Sequence, residues 1–152
     1  DLEALADDLR RAGRRIVFTN GCFDILHRGH VALLGRAKAL GDVLIVGLNA
    51  DASVRRLKGP TRPINRAADR AQVLAALSCV DHIVEFVEDT PARLIELVRP
   101  DVYVKGGDYT LATLPEAPLV QRFGGEVRIL AYLEDFSTTG IIARIEDRQA
   151  AP

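Results

Sequence analysis

The sequence predicts an α/β fold, in which a parallel five-stranded sheet is covered by helices on both faces. Five short, almost continuously apolar runs have the length and composition of strands buried on both faces. Stretches with helical spacing of apolar residues separate these runs, and glycine or proline marks many of the junctions. Regular alternation of strands and helices is typical of a parallel sheet.

The predicted fold begins with a helix whose apolar residues recur at helical spacing over 2–9 and which ends at Gly13. A strand over 15–18 follows, and a second helix covers 31–40. The second predicted strand, 43–48, is apolar throughout apart from one glycine, as expected for a central strand.

The middle of the chain is predicted to supply a short helix, a loop and the third strand. The helix runs to about Leu57, and the loop covers 58–63, where a glycine and two prolines oppose regular structure. Asn65 is expected to cap the next helix, and a strand follows over 82–86. Three apolar residues are predicted to face inward from that helix: Ala71, Leu74 and Leu77.

The next helix has clear signals at both ends. Thr90 and Pro91 begin it, with proline expected at the first helical position, and Pro100 closes it. The fourth and fifth predicted strands cover 102–104 and 127–130.

Two segments near the C-terminus complete the prediction. Residues 111–118 contain two prolines and are expected to form an excursion or a short turn. Ser137 opens a last helix, in which Ile141, Ile142 and Ile145 are expected to be buried.

The composition indicates one globular domain over residues 1–152, with 48% hydrophobic and 27% charged residues. The chain has no methionine even at its first position, which is also consistent with one domain of a longer polypeptide. A net charge of −1 argues against bulk binding to nucleic acid, and no apolar run reaches the length of a membrane span. Cys22 and Cys79 match neither a disulfide framework nor a metal spacing, so we expect a cytoplasmic protein.

The most informative stretch is T-N-G-C-F-D-I-L-H-R-G-H, residues 19–30, between the first strand and the second helix. His27 and His30 lie three residues apart at the mouth of that helix, with Gly29 between them. A helix N-terminus favours an anion, and imidazoles can donate hydrogen bonds to it, so the stretch predicts a phosphate site. The dinucleotide-binding and P-loop glycine patterns are both absent from the sequence.

The histidine pair is also compatible with two other roles. A lone histidine near a helix start is usually a surface or capping residue, and a pair at this spacing can ligate a metal. No third ligand is apparent nearby in the sequence, so no protein metal site is predicted.

A one-signed run of charge lies between residues 55 and 70. Its members are six cations and one acid: Arg55, Arg56, Lys58, Arg62, Arg66, Arg70 and Asp69. This imbalance favours a polyanionic ligand such as a nucleoside triphosphate, with Lys58 and Arg70 the strongest candidates. A basic surface loop is an equal alternative for Arg55, Arg56 and Arg66. Because glycine, prolines and repelling charges meet here, residues 58–70 are expected to form a mobile flap.

Further polar groups follow strands or open helices. Ser137 and Thr138 can form a second phosphate cradle, although such residues also cap helices routinely. Gly106 permits close backbone approach to a ligand, and Asp108 can accept from a base amine or ribose hydroxyl, although a tight turn would look the same. Polar residues also follow the second strand, at Asn49 and Asp51.

The pattern G-x-F-D-x-x-H-x-G-H resembles the nucleotidyltransferase superfamily that includes cytidylyltransferases and pantetheine-phosphate adenylyltransferases. The combination of R-P-I-N at 62–65, E-D-T-P at 88–91 and V-K-G-G-D-Y at 104–109 narrows the resemblance to heptose 1-phosphate adenylyltransferases. These occur alone or as the C-terminal half of a bifunctional heptose kinase/adenylyltransferase. Departures are Arg28, where alanine is more usual, and the 111–118 segment. The resemblance implies a Rossmann-like doubly wound sheet of the cytidylyltransferase-like nucleotidyltransferase fold.

The resemblance also implies a reaction, in which AMP passes from ATP to a heptose 1-phosphate and pyrophosphate leaves. No general base is needed, because the attacking phosphate is already ionised near neutral pH. Mg²⁺ is expected to be bound mainly through substrate oxygens, and a homodimer is expected. The implied catalytic residues are His27, His30, Lys58 and Arg70. The implied nucleotide-binding residues are Thr19, Asn20, Gly21, Phe23, Gly29, Gly106, Asp108, Ser137 and Thr138, and the acceptor-binding residues are Asp24, Asn49 and Asp51.

Three other functions stay open at this point. One is a cytidylyltransferase acting on glycerol 3-phosphate or phosphoethanolamine, and another is an adenylyltransferase for a different sugar phosphate. The third is a non-catalytic nucleotide-sensing domain, which the intact histidine pair together with Lys58 and Arg70 argues against.

Overall fold

The computed structural model describes residues 1–151 and confirms the predicted α/β architecture. All adjacent strands pair in parallel, in the order β3-β2-β1-β4-β5. The strands are β1 (Ile16–Gly21), β2 (Val43–Asn49), β3 (His82–Phe86), β4 (Val102–Gly106) and β5 (Glu126–Leu130). β1 therefore runs three residues beyond its predicted end and carries the first residues of the histidine motif.

Helices cover both faces of this sheet. They are α1 (Leu2–Arg11), α2 (Arg28–Lys38), α3 (Asp51–Lys58), α4 (Ala67–Ala75), α5 (Ala92–Val98), α6 (Ala117–Arg122) and α7 (Thr138–Ala150). Phe18 and Tyr103 point to the face covered by α1, α5 and α6, while Val17 and Val104 point to the face covered by α2 and α4. This alternation follows from the two-residue repeat of strand side chains.

The strand order places a topological switch between β1 and β4. From β1 the chain moves through β2 to β3 on one side, and from β4 it moves to β5 on the other. In open parallel sheets such a switch leaves a crevice beyond the carboxyl ends of the two central strands, where ligands bind. The histidine motif leaves β1 at this crevice.

Two helix starts differ from prediction. Arg66, not Asn65, occupies the N-cap of α4, and no side chain caps that helix. The reason is that the Asn65 backbone N–H is bound by the Asp24 carboxylate, which fixes the approach of the chain. Pro91 is likewise the N-cap of α5 rather than its first helical residue.

Of two C-terminal predictions, one is confirmed in part and the other is wrong. Residues 111–113 and 115–116 form turns as predicted, but Leu114 and Ala117 also enter the core and α6 begins within the segment. The predicted burial of Ile141, Ile142 and Ile145 fails: the first two are half-buried and Ile145 is 51% exposed. α7 starts at the crevice instead of crossing a sheet face, so neither core cluster includes it. Along residues 1–151, none of the helices is both long and apolar enough to cross a membrane.

Candidate active site

The two histidines of the motif form the start of α2 themselves. His27 is the N-cap residue, and its Nδ1 accepts a hydrogen bond from the Gly29 N–H at 3.1 Å. The His30 Nδ1 accepts from the His27 N–H at 3.3 Å, which completes a reciprocal capping box. The rings stack with their centroids 3.8 Å apart.

This capping arrangement fixes the protonation pattern of both rings. Since each Nδ1 accepts a hydrogen bond, each neutral ring carries its proton on Nε2. Burial, reinforced by the charge of His27 and opposed by Asp24, lowers the pKa of His30 to about 4. Burial also lowers the pKa of His27. Both rings are therefore neutral near pH 7 and offer Nε2–H groups as donors.

Phe23 and Gly29 support the histidines. The Phe23 ring is buried against Gly21 and lies 5.5 Å from the His30 ring, centroid to centroid. A Cβ on Gly29 would lie 2.9 Å from the His27 ring and 3.1 Å from the Phe136 Cβ. Gly29 therefore makes room for the His27 ring, and the nucleotide contacts of Gly21, Phe23 and Gly29 stay predictions.

Replacing Gly29 with alanine should displace the His27 ring and lower kcat about tenfold or more, because the donor leaves its productive position. The fold should persist, since alanine is a good helix former. Gly35→Ala is the matched control, because it lies on the same helix and a Cβ there would meet nothing within 4 Å. Steady-state kinetics of both variants tests this. Equal kcat in the two variants would contradict the packing role.

Asp24 anchors a loop. Its side chain is buried, and its carboxylate accepts from the N–H groups of Ile64 at 2.6 Å and Asn65 at 3.0 Å. The Asp24 carbonyl also accepts from the Thr138 hydroxyl. Asp24 therefore joins the motif to the 62–65 loop and to α7, and its predicted acceptor-binding role stays a prediction.

Arg70 is a buried structural connector, and its predicted contact with phosphate stays a prediction. Its side chain is 1% exposed and donates to the carbonyl oxygens of Asn65, Cys22 and Asn49. It also donates to the Asp51 carboxylate at 2.7 Å, and that same oxygen accepts from the Ala67 N–H. Arg70 thus ties the ends of β1 and β2 to α4.

The same contacts involve two predicted acceptor residues. The Asn49 side chain is buried and donates to the Ser53 hydroxyl at 3.3 Å. One Asp51 oxygen is shared between Arg70 and the start of α4. Both residues therefore hold the framework together, and their predicted contact with the acceptor stays a prediction.

The basic segment divides into structural and exposed cations. Arg56 donates a hydrogen bond to the Asp89 carboxylate, and Arg66 lies 3.6 Å from Asp69. Both pairs lie on the surface, which favours the interpretation of Arg56 and Arg66 as surface residues that do not bind a ligand. Lys58 is exposed and is the last residue of α3. Because both ends of the predicted flap are helical, only the residues between α3 and α4 can form it. Asp24 anchors that connection near its α4 end.

Arg62 is a site residue that sequence reasoning did not single out. Its side chain is only 13% exposed, its Nε is buried without a hydrogen-bond partner, and it lies 3.9 Å from Asp24. Burial raises the pKa of the Cys22 thiol, while Lys58, Arg70 and Arg62 oppose that rise. These three cations therefore converge on the loop that follows β1, so positive charge accumulates beside the crevice.

Tyr132 is a second residue of the site that the sequence does not indicate, since nothing in its local sequence marks it. A Cβ on Gly106 would lie 2.7 Å from its ring, so the ring covers the backbone predicted to approach the nucleoside. Partial burial raises the pKa of Tyr132, and the charges of Tyr109 and Asp108 add to the effect. Asp108 itself is exposed at the crevice.

The predicted hydroxyl and amide groups have mixed outcomes. Thr19 is buried and its hydroxyl donates to the Val104 carbonyl, and the Thr138 hydroxyl donates to the Asp24 carbonyl, so both hydroxyls have structural contacts and their predicted contact with phosphate stays a prediction. Ser137 caps α7 by accepting from the Gly140 N–H at 2.9 Å. The Asn20 side chain accepts a hydrogen bond from the Tyr103 hydroxyl, and both groups lie on the sheet face opposite the histidines.

The assembled site offers two neutral hydrogen-bond donors, nearby cations and a helix N-terminus at one crevice. This combination stabilises negative charge on phosphate oxygens. Among residues 1–151 no group of three histidine, cysteine, aspartate or glutamate side chains is arranged to hold a metal ion.

Comparisons with known proteins agree with this geometry. A family model described as cytidylyltransferase-like matches residues 18–144. The bifunctional protein HldE of Syntrophotalea carbinolica is 55% identical over 96% of this chain, and that of Pseudomonas aeruginosa is 58% identical over 93%. The chain spans 30% of the length of each of these curated relatives.

Solved structures share the fold. The lipopolysaccharide core biosynthesis protein from Thermoplasma volcanium has a TM-score of 0.65 and 30% identity, covering 80% of this chain and 98% of that one. Pantoate-beta-alanine ligase from Francisella tularensis has a TM-score of 0.63 at 15% identity, over 97% of this chain and 75% of that one, which is a likeness of fold alone. The family match includes the histidine motif, β1 to β5 and the start of α7. The chain therefore belongs to the cytidylyltransferase-like family.

Proposed function

We propose that this domain transfers AMP from ATP to a heptose 1-phosphate, giving ADP-heptose and pyrophosphate. The observation that carries the proposal is the stacked, neutral pair of His27 and His30, whose Nε2–H groups stand at the start of α2. Identity of 55–58% to HldE proteins, together with the segments that resemble heptose 1-phosphate adenylyltransferases, supports this acceptor.

The proposed step is a single displacement at phosphorus. A phosphate oxygen of the sugar phosphate attacks the α-phosphorus of ATP, and a new P–O bond forms. The bond between the α-phosphorus and the bridging oxygen breaks, and its electron pair leaves with pyrophosphate. His30 donates to an oxygen on which charge develops, which lowers the barrier more than it stabilises bound ATP. No residue needs to remove a proton.

Cations beside the crevice supply the charge that the neutral imidazoles lack. Lys58 is exposed and Arg62 has an unpartnered Nε, so we assign them to the β- and γ-phosphates. Arg70 acts indirectly, by holding the Cys22 and Asn49 carbonyls in place. Mg²⁺ would be held mainly by triphosphate oxygens, as is common for this ion.

The nucleoside is assigned to the carboxyl end of β4. Gly106 and Asp108 remain the candidates for the base and ribose, and Tyr132 lies over the same backbone, where its ring can stack on a base. Ser137 opens α7 and is assigned to a phosphate oxygen. We further propose a cytoplasmic homodimer, which sedimentation of the purified protein would test.

ATP should be the preferred nucleotide, on the strength of the V-K-G-G-D-Y segment at 104–109. The test is pyrophosphate release over a grid of ATP, CTP, GTP and UTP against heptose 1-phosphate, other sugar 1-phosphates and glycerol 3-phosphate. ATP with heptose 1-phosphate should give the highest kcat/KM. A higher value for CTP with glycerol 3-phosphate would instead establish a cytidylyltransferase.

A further inference from the structure

A buried polar cluster lies on the sheet face opposite the histidines. It spans β1 and β4, the two strands that flank the topological switch. The Tyr103 hydroxyl donates to the Asn20 Oδ1 at 2.7 Å, and the Tyr103 ring stacks on Phe18 with centroids 6.0 Å apart. Asn20 is next to last in β1, so its amide lies at the crevice end of the strand.

Glu116 is the unusual member of this cluster. It directly precedes α6 and is only 9% exposed, and its Oε2 has no hydrogen-bond partner. Its neighbours Leu114 and Ala117 belong to the same core cluster as Tyr103. Because α6 leads the chain back from β4 to β5 on the sheet face of Tyr103, the residue before it lies at the carboxyl end of the strands on that face. Burial, followed by the charge of Glu116, raises the pKa of Tyr103. A buried carboxylate oxygen without a partner is costly, and such a group calls for an explanation.

The available atoms indicate what would bind there. The Asn20 oxygen is occupied by Tyr103, which leaves its Nδ2 group as a donor, and a carboxylate only accepts. A hydroxyl group both donates and accepts, so adjacent hydroxyls match this pair of side chains. The charge of Glu116 disfavours phosphate, whereas the histidine side of the crevice carries cations. The two sides therefore suit different parts of a substrate.

We infer that Glu116 and Asn20 form the subsite for hydroxyl groups of the acceptor sugar, and that Glu116 helps to determine acceptor specificity. The inference rests on the proposed function, and it places the sugar on the α6 side of the crevice and its phosphate toward His30. Residues 108–113, all exposed, connect the carboxyl end of β4 to the segment that carries Glu116.

The test is Glu116→Gln, which keeps the shape but removes the charge that strengthens hydrogen bonds from hydroxyls. We expect KM for heptose 1-phosphate to rise about tenfold or more, with KM for ATP unchanged. Thermal stability should be equal or higher, because an unpartnered buried charge is gone. Glu96→Gln is the matched control: Glu96 is an exposed residue of α5 on the same sheet face.

The outcomes separate this inference from the proposed function. An unchanged KM for heptose 1-phosphate in Glu116→Gln, with active wild-type protein, would overturn the subsite and leave the proposed function standing. A lower melting temperature with equal losses for ATP and sugar phosphate would assign Glu116 a structural role and also overturn the subsite. If wild-type protein binds ATP but turns over no sugar 1-phosphate, the proposed function fails, and the inference falls with it.

Discussion

The His30→Ala variant should lose about 10²–10³-fold in kcat, as expected when a preorganised donor to a developing negative charge is removed. KM for ATP should change less, because the donor acts mainly on charge that develops in the transition state. Pyrophosphate release under saturating substrates is the measurement. Because His30 also caps α2, the alanine variant removes a donor and a cap together.

Two further variants separate these roles. Glutamine and glutamate are the usual partners at this position of a capping box, so His30→Gln and His30→Glu should both retain the helix start. Only glutamine keeps an N–H donor, so it should retain more activity than glutamate. His82→Ala is the control, since His82 lies on β3 at the sheet edge. Near-normal turnover in folded His30→Glu protein would contradict the assignment of His30 as the catalytic hydrogen-bond donor.

Arg70→Ala should lower the free energy of unfolding by about 3–5 kcal/mol, because it leaves buried acceptors and the Asp51 carboxylate without their partner. The guanidinium contacts three carbonyl oxygens and one carboxylate while 1% exposed. Urea unfolding followed by circular dichroism measures the loss. Arg70→Lys keeps the charge but loses the planar fork, so it should recover only part of the stability.

The control for Arg70 is Arg66→Ala. Arg66 is 81% exposed and lies 3.6 Å from Asp69, so its removal should change stability by no more than about 0.5 kcal/mol. If Arg70→Ala were instead as stable as Arg66→Ala but had a much higher KM for ATP, the result would support the contact between Arg70 and phosphate that the charge run predicts.

The sequence was most informative where the chemistry is local. Strand limits and the helix mouth at His27 depend on neighbouring residues, so their patterns predicted both the sheet and the histidine pair. Arg70 shows what local patterns miss, since its contacts with Cys22 and Asn49 join residues 48 and 21 positions apart. No spacing in the sequence distinguishes a cation that binds phosphate from one that binds carbonyl oxygens.

Several acidic and hydroxyl candidates make contacts that their local sequence does not show, for a related reason. A carboxylate at the end of a strand can bind a ligand or a returning loop, and Asp24 binds the loop at 62–65 because the chain folds back over it. In α7 the apolar spacing predicted burial, but burial also requires a sheet face to pack on. Arg62 and Glu116 became visible only when their unpartnered atoms could be counted.

The capping box has a consequence for how the site divides its electrostatic work. In each imidazole, Nδ1 accepts a hydrogen bond from the main chain, which leaves Nε2 to donate to a ligand. If a ring gained a proton at Nδ1, that nitrogen could no longer accept the hydrogen bond from the backbone N–H. Positive charge on either ring therefore destabilises the start of α2. The histidine pair therefore donates hydrogen bonds without adding charge. In the proposed function Lys58 and Arg62 supply the positive charge, and neither residue takes part in the start of α2. Such separation lets the cations vary with the substrate while the imidazoles stay fixed.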